Sequence, residues 1–294
     1  MAIATFAVML RRSLRILLLL LLLLGGWEVM LRMRGYHQLP VFVADKRYEY
    51  MTAPDQTLSA DGVRFITNEL GMRCGSVGAK KGKRVLVVGD SVINGGLSST
   101  QDSLATSIAE RATGVQVLNS SAPSWGPDNA AAFLDVHGHF DSDLLVAVFS
   151  SHDAFDRMTF EPIVGHHPAY PDHAPLLALE AYMRDLLYSP SAPTPAPSGA
   201  VFNEGWKALT ERAHATGIPF VVLLHPEAVE VAQHGYDARG QQLLDSLHAW
   251  NVPVVELLGS ADAAMYWDRI HLNDHGQRAL GRALEETIRA DGGD

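Results

Sequence analysis

From Arg84 onward, short runs of valine, leucine and isoleucine alternate with longer amphipathic stretches, and this alternation restricts the fold more than any other feature of the chain. The runs fall at residues 85–89, 115–119, 144–149, 218–224 and 253–257, and helical patterns fall at 103–111, 128–136, 203–215, 237–250 and 274–290. Buried strands followed by helices build βαβ units, whose crossovers cover both faces of a parallel sheet. The expected architecture is therefore α/β, a three-layer α/β/α sandwich around a mainly parallel five-stranded sheet. At 294 residues there is room for one such domain of about 200 to 250 residues with an N-terminal extension and a modest insertion.

The extension carries a second strong pattern. Residues 16–24 are an unbroken aliphatic run, continued by Gly25, Gly26 and Trp27 and preceded by Arg11, Arg12 and Arg15. This N-terminal hydrophobic helix reads as a membrane-targeting segment. The apolar stretch is short against the roughly 20 residues of a span, although continuing past Glu28 through Val29, Met30 and Leu31 brings it nearer, so length alone leaves signal peptide and anchor both open. The residues after the run lack the small-x-small pattern that a signal peptidase needs, which favours an uncleaved anchor. Arginines ahead of the run hold that end in the cytoplasm and send the remainder outward, into the periplasm in a bacterium, although Arg32 and Arg34 weaken the asymmetry. The Arg11-Arg12 pair is a weak twin-arginine signal.

Composition narrows the partners. The chain is 47% hydrophobic and 19% charged, within the range of folded globular proteins. Its net charge is -10, and the first 47 residues are net basic, leaving about -15 for the rest. So acidic a domain repels nucleic acid and anionic lipid. Cys74 is the only cysteine, which excludes an internal disulfide and a multi-cysteine metal site, and it reads as a half-buried small residue. The division expected is an anchor at 1–34, a connector at 35–83 with one short strand near 63–67, and the α/β domain at 84–294. Between the third and fourth strands, residues 166–200 read as an exposed loop insertion, a candidate lid or substrate-facing wall, because the Pro-rich stretch at 189–198 fits neither helix nor interior strand.

Two short motifs carry chemistry. Gly89-Asp90-Ser91 closes the first strand, at the carboxyl edge where open α/β sheets place their ligand sites. Alone it is a weak signal, since these residues also form ordinary turns. A base candidate follows the fifth strand in Asp268-Arg-Ile-His271-Leu272-Asn273. A three-residue spacing lets the Asp268 carboxylate accept from His271 Nδ1 and direct Nε2 towards Ser91. Asp90 and Asp153, each just past a strand end, read as loop-fixing acceptors of backbone N–H bonds. Trp125 and Trp267 read as core or pocket wall. His137, His139, His166, His167 and His173 do not form a zinc-binding pattern, and neither a metal nor any other cofactor is expected.

Together, Gly89-Asp90-Ser91 and Asp268-Arg-Ile-His271-Leu272-Asn273, with Asp102-Ser103-Leu104, Val117-Leu-Asn119 and Ser124-Trp-Gly126-Pro127-Asp128 in order between them, resemble the SGNH (GDSL-like) hydrolase superfamily over roughly residues 84–290. The resemblance implies a flavodoxin-like fold, a catalytic set of Ser91, Asp268 and His271, and an oxyanion hole formed at Ser91, Ser124 and His152. Two of these positions depart from the family pattern: Ser124 stands for a glycine, and His152, within Ser150-Ser151-His152-Asp153, stands for an asparagine. A Gly-x-Ser-x-Gly elbow, the mark of the competing serine-hydrolase fold, is absent at Ser91. Residues 67–73 are similar to an Asn-x-x-Gly-x-Arg stretch found ahead of the Gly-Asp-Ser block in membrane-attached or exported members, several of which act on O-acetyl groups of surface polysaccharides. The expected function is a serine esterase or O-acyltransferase acting on ester-linked acyl groups, acetyl foremost. Two alternatives stay open: a lipid or small-ester hydrolase at the membrane, and a catalytically impaired binding protein of envelope polysaccharide assembly.

Overall fold

A computed structural model of the chain describes residues 2–60, 62–189 and 201–292. Five parallel strands, β5 (Arg84–Gly89), β6 (Gln116–Ser121), β7 (Leu144–Ser150), β8 (Phe220–His225) and β9 (Val254–Glu256), form one sheet in the order β6-β5-β7-β8-β9. The order reverses beside β5, and a crevice opens above its carboxyl end, as expected at the switch point of a doubly wound sheet.

Alternation along the strands explains the three layers. Leu86, Val88, Leu145, Ala147 and Phe149 face one core with α4 (Pro127–His137), α6 (Gly205–Thr216) and α8 (Ala238–Ala249). Val85, Val87, Leu144, Val146 and Val148 face the other, covered by α3 (Ala105–Thr113) and α9 (Asp274–Ala290). Every residue of β5 and β7 is buried, so these strands read as continuous apolar runs rather than alternating ones. The α/β sandwich inferred from the sequence is the fold observed. Ahead of it, α1 (Ala2–Met33) contains a 25-residue segment, Met9–Met33, long and apolar enough to cross a membrane.

The structure corrects two of the expected boundaries. Residues 35–83 are no mere connector with one strand. They form two antiparallel hairpins, β1 (Phe42–Asp45) with β2 (Glu49–Thr52) and β3 (Thr57–Ala60) with β4 (Val63–Ile66). Phe42, Tyr48, Tyr50, Met51 and Met72 from this region join the same core as α4 and α6, and Trp125 Nε1 donates to the Tyr50 carbonyl at 2.9 Å. Cys74, also in this core, is fully rather than half buried, at 6% exposure. Nor is 166–200 simply an exposed loop. Tyr170 is buried against Phe42 and Tyr50, and α5 (Ala178–Leu187) buries Ala178 and Ala181. Glu28 caps α5, accepting from the Ala178 and Leu179 amides at 3.0 and 2.9 Å. From residue 190 the Pro-rich stretch lies outside the described residues.

Candidate active site

β5 ends at Gly89, where the chain turns directly into the short helix α2 (Ser91–Asn94). A Cβ at Gly89 would overlap the Val148 carbonyl oxygen and come within 2.6 Å of Ile93 Cγ2, so only glycine lets the turn pack this closely against β7. Asp90 caps α2, its carboxylate accepting from Val92 N at 2.8 Å. Around it, buried polar groups hold the helix in place. Gln277 Nε2 donates to the Val92 carbonyl at 2.8 Å while its Oε1 accepts from Ala105 N at 2.9 Å, and Asn119 Nδ2 donates to the Ile93 carbonyl at 2.9 Å.

The far end of α2 is secured by a residue to which the sequence reading assigned no role of its own. The guanidinium of Arg73, wholly buried, donates to the carbonyls of Asn94 and Gly96 and, at 2.6 Å, to that of Ser99. Its flat face lies 4.3 Å from the centre of the Phe65 ring. The rest of the Asn-x-x-Gly-x-Arg stretch delivers it there. Asn68 Oδ1 accepts from the Leu70 and Met72 amides at 3.0 Å, and Gly71 takes φ +79° under the Thr52 carbonyl. The motif was visible; its attachment to the Ser91 helix depends on contacts more than 20 positions away.

At the other end of the chain, Asp268 organises its own loop. Oδ1 accepts from Ile270 N at 2.9 Å and His271 N at 2.8 Å, and Oδ2 lies 2.7 Å from His271 Nδ1. Partial burial raises the carboxyl's pKa, but these bonds and the neighbouring ring outweigh it and hold Asp268 at about 2. His271 Nε2 lies 2.9 Å from Ser91 Oγ. With Nδ1–H donating to Asp268, Nε2 is left to accept from the Ser91 hydroxyl. Asn273 caps α9 through its Oδ1 and donates from Nδ2 to the Ala264 carbonyl at 2.7 Å, fixing the loop's exit. The three residues meet in a depression of about 200 Å³ walled by Trp267, Pro123, Gly95 and Gly96. Trp267 is 66% exposed there, whereas Trp125 is wholly buried.

The remaining proposed oxyanion residues are placed differently. Ser124 adopts φ +58°, the left-handed region that favours glycine, with its Oγ 3.1 Å from the Tyr170 hydroxyl. Among the described residues, neither the Ser91 nor the Ser124 backbone N–H has a hydrogen-bond partner. His152 turns both ring nitrogens to carboxylates: Nδ1 lies 3.5 Å from Glu227 Oε1, and Nε2 lies 3.7 Å from Asp153 Oδ1. Burial opposes a charge on the ring, but Asp153, Glu227 and Asp90 outweigh it and push His152 up to about 10. Both ring nitrogens thus face carboxylates, and these favour the charged ring. Burial pushes the carboxyl groups of Asp90 and Asp153 up, against the opposing pull of the His152 charge. Asp153 fixes its loop, accepting from Ser150 N at 2.8 Å. Asp90, His152 and Asp153 each turn one ligand atom to within 4.8 Å of the others, close enough to share an ion. His137 packs on Phe133 and Tyr48, and His173 pairs with Asp172 at the surface.

No protein-family model matches the chain, and no curated protein matches it. Among solved structures it is similar to a lipase/acylhydrolase from Enterococcus faecalis, 15% identical, with 71% of this chain and 96% of that one covered and a TM-score of 0.45. It is similar also to an inhibitor-bound aryl esterase of M. smegmatis, at 17% identity, 71% and 99% coverage and a TM-score of 0.42. A third is Est24, a carbohydrate acetylesterase from Sinorhizobium meliloti, at 14% identity, 71% and 99% coverage and a TM-score of 0.40. These likenesses are distant, and the chemistry has to be read from the side chains themselves.

Proposed function

We propose that the chain is a membrane-attached serine esterase or O-acyltransferase of the SGNH kind, in which Ser91 is the nucleophile, His271 the general base and Asp268 the group that orients it. The observation that carries this reading is the unbroken line from Asp268 Oδ2 to His271 Nδ1 at 2.7 Å and from His271 Nε2 to Ser91 Oγ at 2.9 Å. Ser91 Oγ attacks the ester carbonyl as its proton passes to His271 Nε2, and the developing oxyanion takes the backbone N–H groups of Ser91 and Ser124. His271 then protonates the departing alcohol oxygen, leaving an acyl group on Ser91. Water or an acceptor hydroxyl, deprotonated by His271, releases it, and the identity of that acceptor separates esterase from transferase. His152 supports the site through its positive charge.

The substrate is an ester of a short acyl group, acetyl foremost, with an O-acetylated extracytoplasmic polysaccharide as its natural form. A depression of about 200 Å³ is smaller than the roughly 300 to 1,000 Å³ typical of pockets that enclose a drug-sized ligand, and it suits a small acyl group on a larger body left outside. The exposed Trp267 offers that body a flat apolar wall. Turnover of p-nitrophenyl acetate, butyrate and octanoate by the full chain in detergent tests the assignment. Acetate is expected to be the best of the three, with all activity lost in Ser91→Ala. Preference for octanoate would move the reading to a lipid esterase. A binding-protein reading draws on His152, whose ring nitrogens both face carboxylates; it predicts no turnover of any of the three.

A further inference from the structure

We propose that the C-terminal end of helix α5 reaches the same bilayer that α1 enters, with Leu186 and Leu187 in the boundary of the acyl chains, so that the domain meets the membrane at two places. This rests on the reading of α1 as a retained anchor.

The geometry comes from the contacts between the two helices. Arg32 Nη2 donates to the Leu176 carbonyl at 2.7 Å. Glu28, one turn earlier in α1, accepts from the amides of Ala178 and Leu179. Trp27, earlier again, packs edge-on against Tyr182, with ring centroids 5.5 Å apart. Tyr182 also packs edge-on against Tyr36, 5.6 Å away, so the course is set by the polar contacts: from Arg32 at Leu176 to Glu28 at Ala178 and Leu179, α5 runs back towards the aliphatic segment. Leu186 and Leu187 follow Tyr182 by one turn, about 6 Å of rise. Leu23 and Leu24 precede Trp27 by nearly the same distance. The two pairs of leucines thus reach a similar level.

Exposure supports the same partner. Leu186 and Leu187 are 61% and 72% exposed, as are Leu23 and Leu24 at 70% and 45%. Leu176 and Leu177, ten residues earlier at the other end of α5, are exposed too but lie beside Arg32, away from the aliphatic segment. Trp27 and Tyr182 form the aromatic pair expected at the headgroup level. The leucines at the end of α5 stand at the level of those of α1, which favours a lipid occupant over a protein one.

Site-directed spin labelling of the full chain in phosphatidylcholine–phosphatidylglycerol vesicles tests this. Nitroxides are attached in turn at Leu187→Cys, Leu186→Cys, Leu20→Cys and Lys207→Cys, and each is scored for its accessibility to oxygen and to a water-soluble nickel chelate. Cys74, at 6% exposure, is not expected to label, and retained ester turnover shows that each variant is folded. Labels at 20, 186 and 187 are expected to favour oxygen, and the label at the exposed Lys207 on α6 to favour nickel. Nickel preference at 186 and 187 beside oxygen preference at 20 overturns the proposal while the anchor stands. Shielding of 186 and 187 from both reagents overturns it in favour of a protein partner. Nickel preference at 20 removes the anchor, and the proposal with it.

Discussion

A single carboxylate does three things within four residues of chain: Asp268 takes two amides on one oxygen and the His271 ring on the other. That economy is why the Asp-x-x-His pair could be read from spacing alone. Its pairing with Ser91, 180 positions away, followed only from placing both motifs at the ends of strands of one sheet, and the family resemblance strengthened it. His152 shows the opposite case. Its family position suggested a hydrogen-bond donor, but two of the carboxylates around it, Glu227 and Asp90, come from other parts of the chain, and they favour the half-buried ring as a charge partner. If so, His152→Ala should lower kcat/KM less than the roughly 10²- to 10³-fold typical of losing an oxyanion donor; a loss in that range would return the ring to the oxyanion hole. Stability gives the matching pH test. The ring's folded pKa, about 10, lies above its unfolded value near 6.5. Between these values the folded state holds the extra proton, so the contribution of His152 is complete below about 6.5 and fades as pH rises through about 10. The gap in Tm between the native chain and His152→Asn is expected to shrink from pH 6.5 to pH 10; a gap that stays constant or widens would contradict the charged ring.

At the scale of the element, α2 is only four residues long, too short to hold itself in a fixed position. It is kept in place by Asp90 at its start, by Asn119 and Gln277 along it, and by Arg73 at its end. Removing the guanidinium leaves buried carbonyls without donors, at roughly 1 to 3 kcal/mol for each such group. Arg73→Met is therefore expected to lower the unfolding free energy by about 3 kcal/mol in urea titration and to depress kcat. Arg73→Lys should not restore it, since one ammonium lacks the spread of the fork. Rescue by lysine would show that charge alone is needed. The structural elements also show where sequence reading failed. α5 has good helix formers in Ala-Leu-Glu-Ala-Tyr-Met-Arg-Asp-Leu-Leu, but the Pro-rich stretch that follows at 189–198 suggested a loop for the whole of 166–200. β1 to β3 are four residues each, too short for alternation to stand out, whereas β4 at Val63–Ile66 falls where a short strand was expected.

In the whole molecule, the central sheet was the legible part, because β5 and β7 are buried on both faces and only continuous apolar runs satisfy that condition. What sequence could not supply was the return of residues 42–74 onto the sandwich. There Tyr50 donates to the Pro123 carbonyl next to Ser124 at 2.7 Å, and Arg73 reaches α2. A stretch expected to tether the domain instead builds the floor under its candidate site. The account as a whole depends on Ser91 being activated by His271. The most direct measurement is peptide mapping by mass spectrometry after treatment of the full chain with a fluorophosphonate. A single adduct on Ser91, absent from His271→Ala, is the predicted result; a folded protein that forms no adduct, or forms it on another residue, would contradict the account.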